Sequence, residues 1–316
     1  MSQLKENQTV ISEFLLLGFG ELQHLQILLF LLFLIIYILT IAGNVLIIVL
    51  VAANQHLHIP MYFFIGNLSC LETCYSSTLL PRMLISVLTG DRTIPVRSCI
   101  AQFYFFGCLV GTECFLLSVM SYDRYSAICN PLRYTTIMNN KLCCILASGS
   151  WLGGFAVNTI IVAFMSKLAF CGPNTIDHFF CDFAPLVELS CSDTHLITIV
   201  DFSFSTICAL PPFLLTLASY MCIISTILRI PSTSGRQKAF STCSSHLIIV
   251  TLYFGTLILV YVVPSSDSIV DTKKMFSVFY TVLTPLVNPL VYSFRNKEVN
   301  AVLRKQMNKY LHSQRK

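Results

Sequence analysis

The stretch MSYDRYSAICNP, residues 120–131, ends a long apolar run by placing an acidic and a basic residue side by side. The run before it, residues 100–119, is free of charged residues except for Glu113. An arginine is costly inside hydrocarbon, so Arg124 is expected at the membrane interface or paired with Asp123. A pair that can break and re-form suits a conformational switch, whereas an ordinary solvated ion pair contributes little. These two residues alone favour the solvated pair, and it is the rest of the chain that favours the switch.

Composition places the whole chain in a membrane. The 316 residues are 55% hydrophobic and only 11% charged, with a mean hydropathy of +0.74. A soluble globular protein carries about 25% charged residues. The length suits one membrane domain with short loops and leaves no room for a separate soluble domain. The net charge of +5 comes without a basic stripe, which argues against nucleic acid as a partner.

Seven stretches are long and apolar enough for membrane helices, which need about 20 residues each. They are residues 25–52, 61–84, 100–122, 142–164, 196–228, 239–263 and 275–294. The pattern therefore predicts an all-α membrane protein, a seven-transmembrane helix bundle over residues 25–294. Residues 1–24 form a polar N-terminal segment, and residues 295–316 have the spacing of an amphipathic helix lying on the membrane surface. No internal repeat is visible, which weakens a transporter interpretation.

The distribution of charge sets the orientation. With the N-terminus outside, the inner segments hold thirteen of the twenty Lys and Arg residues, as the positive-inside rule requires. An odd number of spans then places the C-terminus inside. We expect a multi-pass plasma-membrane protein with an extracellular N-terminus and a cytoplasmic C-terminus. The sequon Asn7-Gln8-Thr9 would then lie outside, where Asn7 can be glycosylated.

Cysteine positions agree with this orientation. Of fourteen cysteines, four fall in outer segments, namely Cys99, Cys171, Cys181 and Cys191. Four cysteines in an oxidising compartment suggest two bridges with three possible connectivities. The spacing alone does not choose among them.

Several polar residues fall inside apolar runs, where they are costly and mark functional candidates. Glu113 lies eleven residues before Arg124, roughly 16 Å along a helix and so about midway through the membrane. Glu72 falls at a similar depth in the second span, and Asn44 and Asn288 can reach the same layer. Two carboxylates in one buried site cannot both ionise cheaply, so they would share a proton or bind a cation such as sodium. The alternative is that each is separately hydrogen-bonded in a wet cavity.

Small-molecule sites in helical bundles lie between helices and are mostly apolar. The outer halves of the third, fifth, sixth and seventh spans supply the ligand-binding candidates Phe106, Gly107, Val110, Gly111, Cys114, Phe204, Ser205, Cys208, Phe254, Leu257, Ile258, Tyr261, Tyr280 and Thr281. Core packing explains any single one of these equally well. No acid lies in the outer half of the third span, and Asp201 is the only nearby negative charge, so we expect a neutral, largely apolar ligand. Copper or zinc binding through Cys114 and Cys208 is only weakly supported, because thiols alone give no ligand-spacing signature.

Six motifs in order resemble one family across nearly the whole chain, about residues 14–305. They are Gly43-Asn44, LHIPMYFFIGNLS (57–69), MSYDRYSAICNPLRY (120–134), Ser219-Tyr220, KAFSTCSSHL (238–247) and PLVNPLVYSFRN (285–296). The chain resembles an olfactory receptor, a rhodopsin-like G-protein-coupled receptor. The CGPN and HFFCDF segments of the second outer loop resemble the large tetrapod-type class of that family.

The resemblance implies a receptor for small volatile odorants that activates a stimulatory olfactory-type G protein and raises cAMP. It implies that Arg124 contacts Tyr220 or the G protein in the active state, and that the bridges are Cys99–Cys181 and Cys171–Cys191. The residues that it assigns to coupling and the activation switch are Asp123, Arg124, Tyr125, Tyr220, Lys238, His246, Asn288, Pro289 and Tyr292. The order Tyr253-Phe254 reverses the family's usual Phe-Tyr, which puts in doubt a hydroxyl on the floor of the pocket.

Two other function classes require features that are not visible in the sequence. An ion channel or transporter needs a polar stripe or broken-helix repeats, and neither is visible. A membrane enzyme needs clustered His, Asp or Ser residues near one interface, whereas the seven histidines are scattered along the chain. We therefore expect no enzymatic activity and no cofactor other than a bound sodium ion.

Overall fold

The structure is a computed structural model that describes residues 11–18, 25–171, 173–229, 231–263 and 270–294, together with 299, 302 and 304. Within these residues lie seven long helical segments: α1 (Gln26–Ala53), α2 (Pro60–Thr89), α3 (Val96–Cys129), α4 (Asn140–Met165), α5 (His195–Leu228), α6 (Thr233–Leu257, continued by a π-helical turn at Ile258–Val262) and α7 (Val270–Val278, a π-helical turn at Phe279–Leu283, then Thr284–Phe294). Asn7 and most of the expected C-terminal amphipathic helix lie outside the described residues.

Each predicted span falls inside one of these helices to within one residue. Most of the helices are longer than the predicted spans because a helix continues past the hydrocarbon into the polar interface. At 34 residues, α3 extends for about 51 Å, against about 30 Å of hydrocarbon. Within the described residues, five helical stretches are long and apolar enough to cross a membrane, and they correspond to α1, α3, α4, α5 and α7.

Short signals in the sequence set the helix ends. Pro60 begins α2 at a position where its missing amide costs nothing, and Gly90 ends the helix in the left-handed conformation with φ 74°. The side chain of Asn139 caps α4 by accepting a hydrogen bond from the amide of Leu142 at 2.9 Å. Pro211, Pro212 and Pro289 stay inside helices, where each removes a backbone hydrogen bond.

The third helix is the centre of the bundle. Of its apolar window 61% is buried, against 22% for α1, and it packs against α2, α4 and α5. The closest approach is to Gly154 of α4, where an added Cβ would lie 2.5 Å from the carbonyl oxygen of Cys108. A glycine at this point allows the two backbones to meet. The neighbouring Gly149 has no such contact, since nothing lies within 4 Å of the position of its Cβ.

The outer face carries a small sheet that the sequence did not predict. Strand β1 (Glu13–Leu16) lies between β2 (Thr93–Pro95) and β3 (Thr175–Ile176), antiparallel to β2 and parallel to β3. Phe14 of β1 is fully buried in the apolar cluster below it. The segment before α1 is therefore tied to the outer loops.

Both disulfides implied by the resemblance are present. Cys99–Cys181 joins the outer end of α3 to the second outer loop, with 5.5 Å between the two Cα atoms. Cys171–Cys191 closes that loop on itself, with 5.9 Å between the Cα atoms. The loop is thereby held over the bundle, and a short helix (Phe183–Glu188) follows directly after the first bridge.

Candidate ligand-binding cavity

A cavity opens among the outer halves of α3, α4, α5 and α6, beneath the second outer loop. Its volume is about 640 Å³, counting the part that is open to solvent. Ten of the fourteen residues predicted to bind ligand line it: Phe106, Gly107, Val110, Gly111, Cys114, Phe204, Ser205, Cys208, Leu257 and Tyr261. Their side chains are mostly apolar, so the cavity suits an apolar ligand body.

Four predicted residues do not line the cavity. Phe254 is fully buried and packs against Phe213, with the ring centroids 5.5 Å apart. Ile258 begins the π-helical turn of α6, while Tyr280 and Thr281 lie in the π-helical turn of α7. A π-helical turn holds an extra residue, so faces projected from a regular helical period are displaced. The π-helical turns account for Ile258, Tyr280 and Thr281, whereas Phe254 lies in the regular part of α6 before the turn. That any of the four contacts the ligand stays a prediction.

One wall of the cavity consists of residues that the sequence pattern does not predict. Val157, Asn158 and Ile161 of α4 line the cavity, and so do Asp182 and Phe183 of the loop. A polar Asn158 inside an apolar run was an available signal, because such residues are costly unless they serve packing or binding. Asp182 follows Cys181 directly, so a bridge at Cys181 places Asp182 at the mouth of the bundle.

Tyrosines connect the cavity with α7 and α2. The Tyr261 hydroxyl donates to Oδ1 of Asp182 at 3.2 Å and lies 2.7 Å from the Tyr280 hydroxyl. The Tyr75 hydroxyl of α2 in turn donates to the carbonyl oxygen of Tyr280 at 3.3 Å. Because the two π-helical turns supply Tyr261 and Tyr280, the irregular segments of α6 and α7 are joined here by hydrogen bonds.

The reversed order Tyr253-Phe254 places a tyrosine hydroxyl between α6 and α3. The Tyr253 side chain is fully buried, and its hydroxyl donates to the carbonyl oxygen of Val110 on α3 at 3.0 Å. The hydroxyl therefore fastens α6 to α3 at the level of the cavity, and Tyr253 does not itself line the cavity wall.

Asp182 is the most buried acid at the cavity, with 7% of its surface exposed. Burial raises the pKa of its carboxyl to about 6, while the Phe183 amide, the Tyr261 hydroxyl and the charge of Lys273 favour the ionised form. The Phe183 amide donates to Oδ1 at 2.8 Å. Asp182 thus begins the short helix and also faces the ligand space.

A second polar layer lies deeper, at the middle of the bundle. The Asn288 amide donates to Oε1 of Glu72, and the charges of Glu72 and Glu113 are close enough to act on each other. Among the described residues, Oε2 of Glu72, both carboxyl oxygens of Glu113 and Oδ1 of Asn288 are buried without a hydrogen-bond partner. Asn44 donates to the carbonyl oxygens of Thr40 and Pro285, and its side chain also acts on Glu72. The geometry therefore brings Glu72, Glu113 and Asn288 together.

At the inner end of α3, Asp123 is 1% exposed. Nη2 of Arg124 lies 3.6 Å from its Oδ2, and the Tyr134 hydroxyl donates to its Oδ1 at 2.8 Å. Across from this pair, the Tyr220 hydroxyl of α5 lies 2.5 Å from Nδ1 of His246 on α6. In this state Tyr220 is engaged by His246, and Arg124 by Asp123.

The remaining coupling residues are only partly described. Tyr125 packs beside the inner cluster formed by Tyr220, Ile223, Ile227 and Cys243. Pro289 lies within α7, where its ring lies close to Gly43 of α1. The side chains of Lys238 and Tyr292 lie outside the described part of the chain.

Comparison with known proteins decides the family. The family model described as olfactory receptor matches residues 33–310. The chain belongs to the olfactory receptor family. It is 46% identical to olfactory receptor 5AP2 of Mus musculus over 97% of this chain and 96% of that protein. It is 49% identical to olfactory receptor 11L1 of Homo sapiens over 96% of this chain and 94% of that protein.

Membership of this family fixes the general class of the molecule. It is a seven-transmembrane helix bundle and a multi-pass membrane protein of the G-protein-coupled receptor type. The family is one of receptors, so the chain is not an enzyme. The cavity described above is therefore considered as a receptor site.

Proposed function

We propose that this olfactory receptor binds small volatile odorants in the outer cavity and activates a stimulatory heterotrimeric G protein, which raises cAMP. The observation that carries the proposal is that α3, α5 and α6 each contribute residues both to the outer cavity and to the inner end of the bundle. Val110, Cys208 and Leu257 line the cavity on α3, α5 and α6. Arg124, Tyr220 and His246 lie at the inner ends of those helices.

Coupling between the two ends follows from the packing of α3. The helix is continuous from the cavity to Arg124, and α6 is fastened to it through Tyr253 and Val110. A ligand that fits the cavity better in one arrangement of α5 and α6 shifts the population toward that arrangement. The inner ends then separate Asp123 from Arg124, which frees the arginine for Tyr220 or for the G protein.

The proposed orientation places the cavity and both disulfides on the extracellular side. Lys and Arg residues concentrate at the opposite end of the bundle, as expected for the cytoplasmic side. The G protein is then met by the face that carries Arg124, and the membrane is the plasma membrane. Asn7 lies on the extracellular side, where it is proposed to be glycosylated.

We further propose that Glu72, Glu113 and Asn288 hold one shared proton or a sodium ion. The described residues contain no cluster of three or more His, Cys, Asp and Glu residues suited to a metal ion, so a transition metal is not favoured. The unpartnered atoms in this layer are oxygens, which are the ligands that hard cations prefer. A proton or a cation there would relieve the repulsion between the two carboxyl groups.

The test is a cell assay with the full chain at the surface. Cells that express the receptor are exposed to a panel of small volatile molecules, and cAMP and membrane current are recorded in parallel. We expect a concentration-dependent rise in cAMP for some members, without a current in cells that lack cAMP-gated channels. A current that appears without any rise in cAMP would instead indicate a channel.

A further inference from the structure

Two acidic side chains face the ligand space from different elements. Asp182 comes from the second outer loop and Asp201 from α5, and both line the cavity. Their charges act on each other. The sequence predicts a neutral ligand because Asp201 is the only acid that it places near the cavity. The structure adds Asp182 of the second outer loop to the same cavity. The cavity is thus apolar over most of its wall and acidic at its outer end.

The two carboxyl groups differ in how far the protein satisfies them. Oδ1 of Asp182 accepts hydrogen bonds from the Phe183 amide and the Tyr261 hydroxyl, and the charge of Lys273 acts on this group. Its Oδ2 accepts no hydrogen bond from a described residue, although Asp182 is more than nine-tenths buried. Asp201 forms neither a hydrogen bond nor an ion pair within the described part of the chain, and the only charge that acts on it there is that of Asp182.

The acidic end of the cavity therefore has an excess of negative charge and also an excess of hydrogen-bond acceptors. Among the described residues, two acids face one base, Lys273, which acts on Asp182 and also donates to the carbonyl oxygen of Val263 at 2.6 Å. A carboxylate in a largely apolar cavity needs a partner, since burial of an unpaired charge is costly. The free positions are acceptors, so the complementary ligand group is a donor.

We propose that this receptor selects small primary amines, with the ammonium group at Asp201 and Asp182 and the hydrocarbon tail among Val110, Phe204 and Leu257. The proposal rests on the proposed odorant-binding function and names the ligand class of the same cavity. An ammonium group offers three donors and no acceptor, which matches the unpaired carboxyl oxygens. An alcohol offers one donor without charge, and a carboxylic acid brings a like charge. The expected order of affinity is therefore amine, then alcohol, then acid.

The two acids have separate roles. Asp201 is the main counter-ion because no basic residue among those described offsets it. Asp182 is a positioning partner whose Oδ1 is held by Tyr261, so its free Oδ2 is presented in a fixed direction. Loss of Asp201 should consequently weaken amine binding more than loss of Asp182.

The experiment measures binding directly, with purified full-length receptor and three probes of equal chain length: hexylamine, 1-hexanol and hexanoic acid. A ligand that binds only the folded state raises the apparent unfolding temperature by an amount that grows with the ratio of its concentration to its Kd. We expect hexylamine to give the same rise at a concentration at least about tenfold lower than 1-hexanol, because a charge-assisted hydrogen bond exceeds a neutral one by about that factor. Hexanoic acid should give the weakest effect.

Variants assign the preference to its residues. Asp201→Asn should remove the advantage of hexylamine over 1-hexanol, and a cooperative unfolding transition of the ligand-free variant shows that it is folded. Asp182→Asn should reduce the advantage less, because asparagine can still cap the short helix. Asp177→Asn is the matched control, since Asp177 pairs with Lys274 at 2.6 Å on an exposed loop and lies outside the cavity.

The proposal is overturned if hexylamine stabilises the receptor no more than 1-hexanol does, including the case in which neither stabilises it. It is equally overturned if the preference survives in Asp201→Asn. A parallel cAMP assay separates this outcome from failure of the proposed function. Amine binding without any cAMP response would retain the ligand class and contradict the coupling.

Discussion

At the inner end of α3, Arg124 is held by Asp123 while only 15% of its side chain is exposed. A nearly enclosed arginine that lies 3.6 Å from its partner is poised to change partners, because this distance exceeds that of a hydrogen bond. This environment favours the switch over the solvated pair that the two residues suggest when read alone.

Replacement of the arginine should therefore separate signalling from folding. We predict that Arg124→Ala abolishes the ligand-evoked rise in cAMP, or reduces it at least about tenfold, while the receptor still reaches the cell surface. The matched control is Arg133→Ala, because Arg133 is an exposed arginine nearby in the same inner region. An undiminished cAMP response in Arg124→Ala at normal surface density would contradict this role.

The acids of the buried layer give a second residue-scale prediction. If Glu72 and Glu113 share one proton or one cation, neutralising either relieves the other, so the effects of the two substitutions are not additive. We predict that Glu72→Gln and Glu113→Gln each shift basal cAMP, and that the double variant is no worse than the single ones. Basal cAMP corrected for surface expression is the measurement. Strictly additive effects, or no change in any of the three, would show two separate groups.

At the scale of the helix, periodicity predicts which residues share a face as long as the helix is regular. Phe106, Val110 and Cys114 of α3 are four residues apart and all line the cavity. In α6 the same projection places Leu257 and Tyr261 at the cavity, whereas Ile258 and Tyr280, both in π-helical turns, do not line it. A π-helical turn depends on tertiary contacts such as the bond between Tyr261 and Tyr280, which a local pattern does not contain.

The contact between α3 and α4 shows the same limit. Gly149 and Gly153 both suggest close packing from their positions beside Trp151. Nothing lies within 4 Å of a Cβ placed at Gly149, whereas a Cβ at Gly153 would lie 3.1 Å from the Phe115 ring of α3, and a Cβ at Gly154 would meet the backbone of α3. Which glycine faces a neighbouring helix depends on the rotation of α4, and the even distribution of apolar residues around that helix leaves the rotation open.

This difference between glycines can be measured. We predict that Gly154→Ala lowers the apparent unfolding temperature of the purified receptor, since backbone atoms of α3 would have to move and overpacking of this kind costs about 1–3 kcal/mol. Gly149→Ala is the control and should be neutral or slightly stabilising, because alanine favours a helix by about 0.5–1 kcal/mol over glycine. Equal behaviour of the two variants would contradict the close approach at Gly154.

For the whole molecule, hydropathy and charge predict the seven helices well, because each helix must by itself be long and apolar enough to cross the bilayer. The outer sheet could not be predicted in this way. Its strands are two to four residues long, and Leu15 pairs with Thr175 from a distant part of the chain. The loop that places Asp182 in the cavity is likewise positioned by a bridge whose connectivity the spacing leaves open. The acidic end of the cavity was therefore missed, although its apolar lining was largely predicted.

The central claim is that a molecule bound in the outer cavity drives the switch at the inner ends of the helices. Ala209 and Ala218 test it on one helix. Ala209 of α5 lines the cavity and is 6% exposed, whereas Ala218 lies on the exposed face of the same helix. A larger side chain at position 209 therefore occupies the ligand space, whereas the same side chain at position 218 leaves that space unchanged.

The most direct measurement is the concentration of the strongest activator that gives half of the maximal cAMP response in the receptor, in Ala209→Phe and in Ala218→Phe, at equal surface density. We predict a shift of at least about tenfold, or complete loss, for Ala209→Phe and no shift for Ala218→Phe, with the smaller Ala209→Leu in between. Unchanged responses in both Ala209 variants would contradict the account, because the activator would then act outside this cavity.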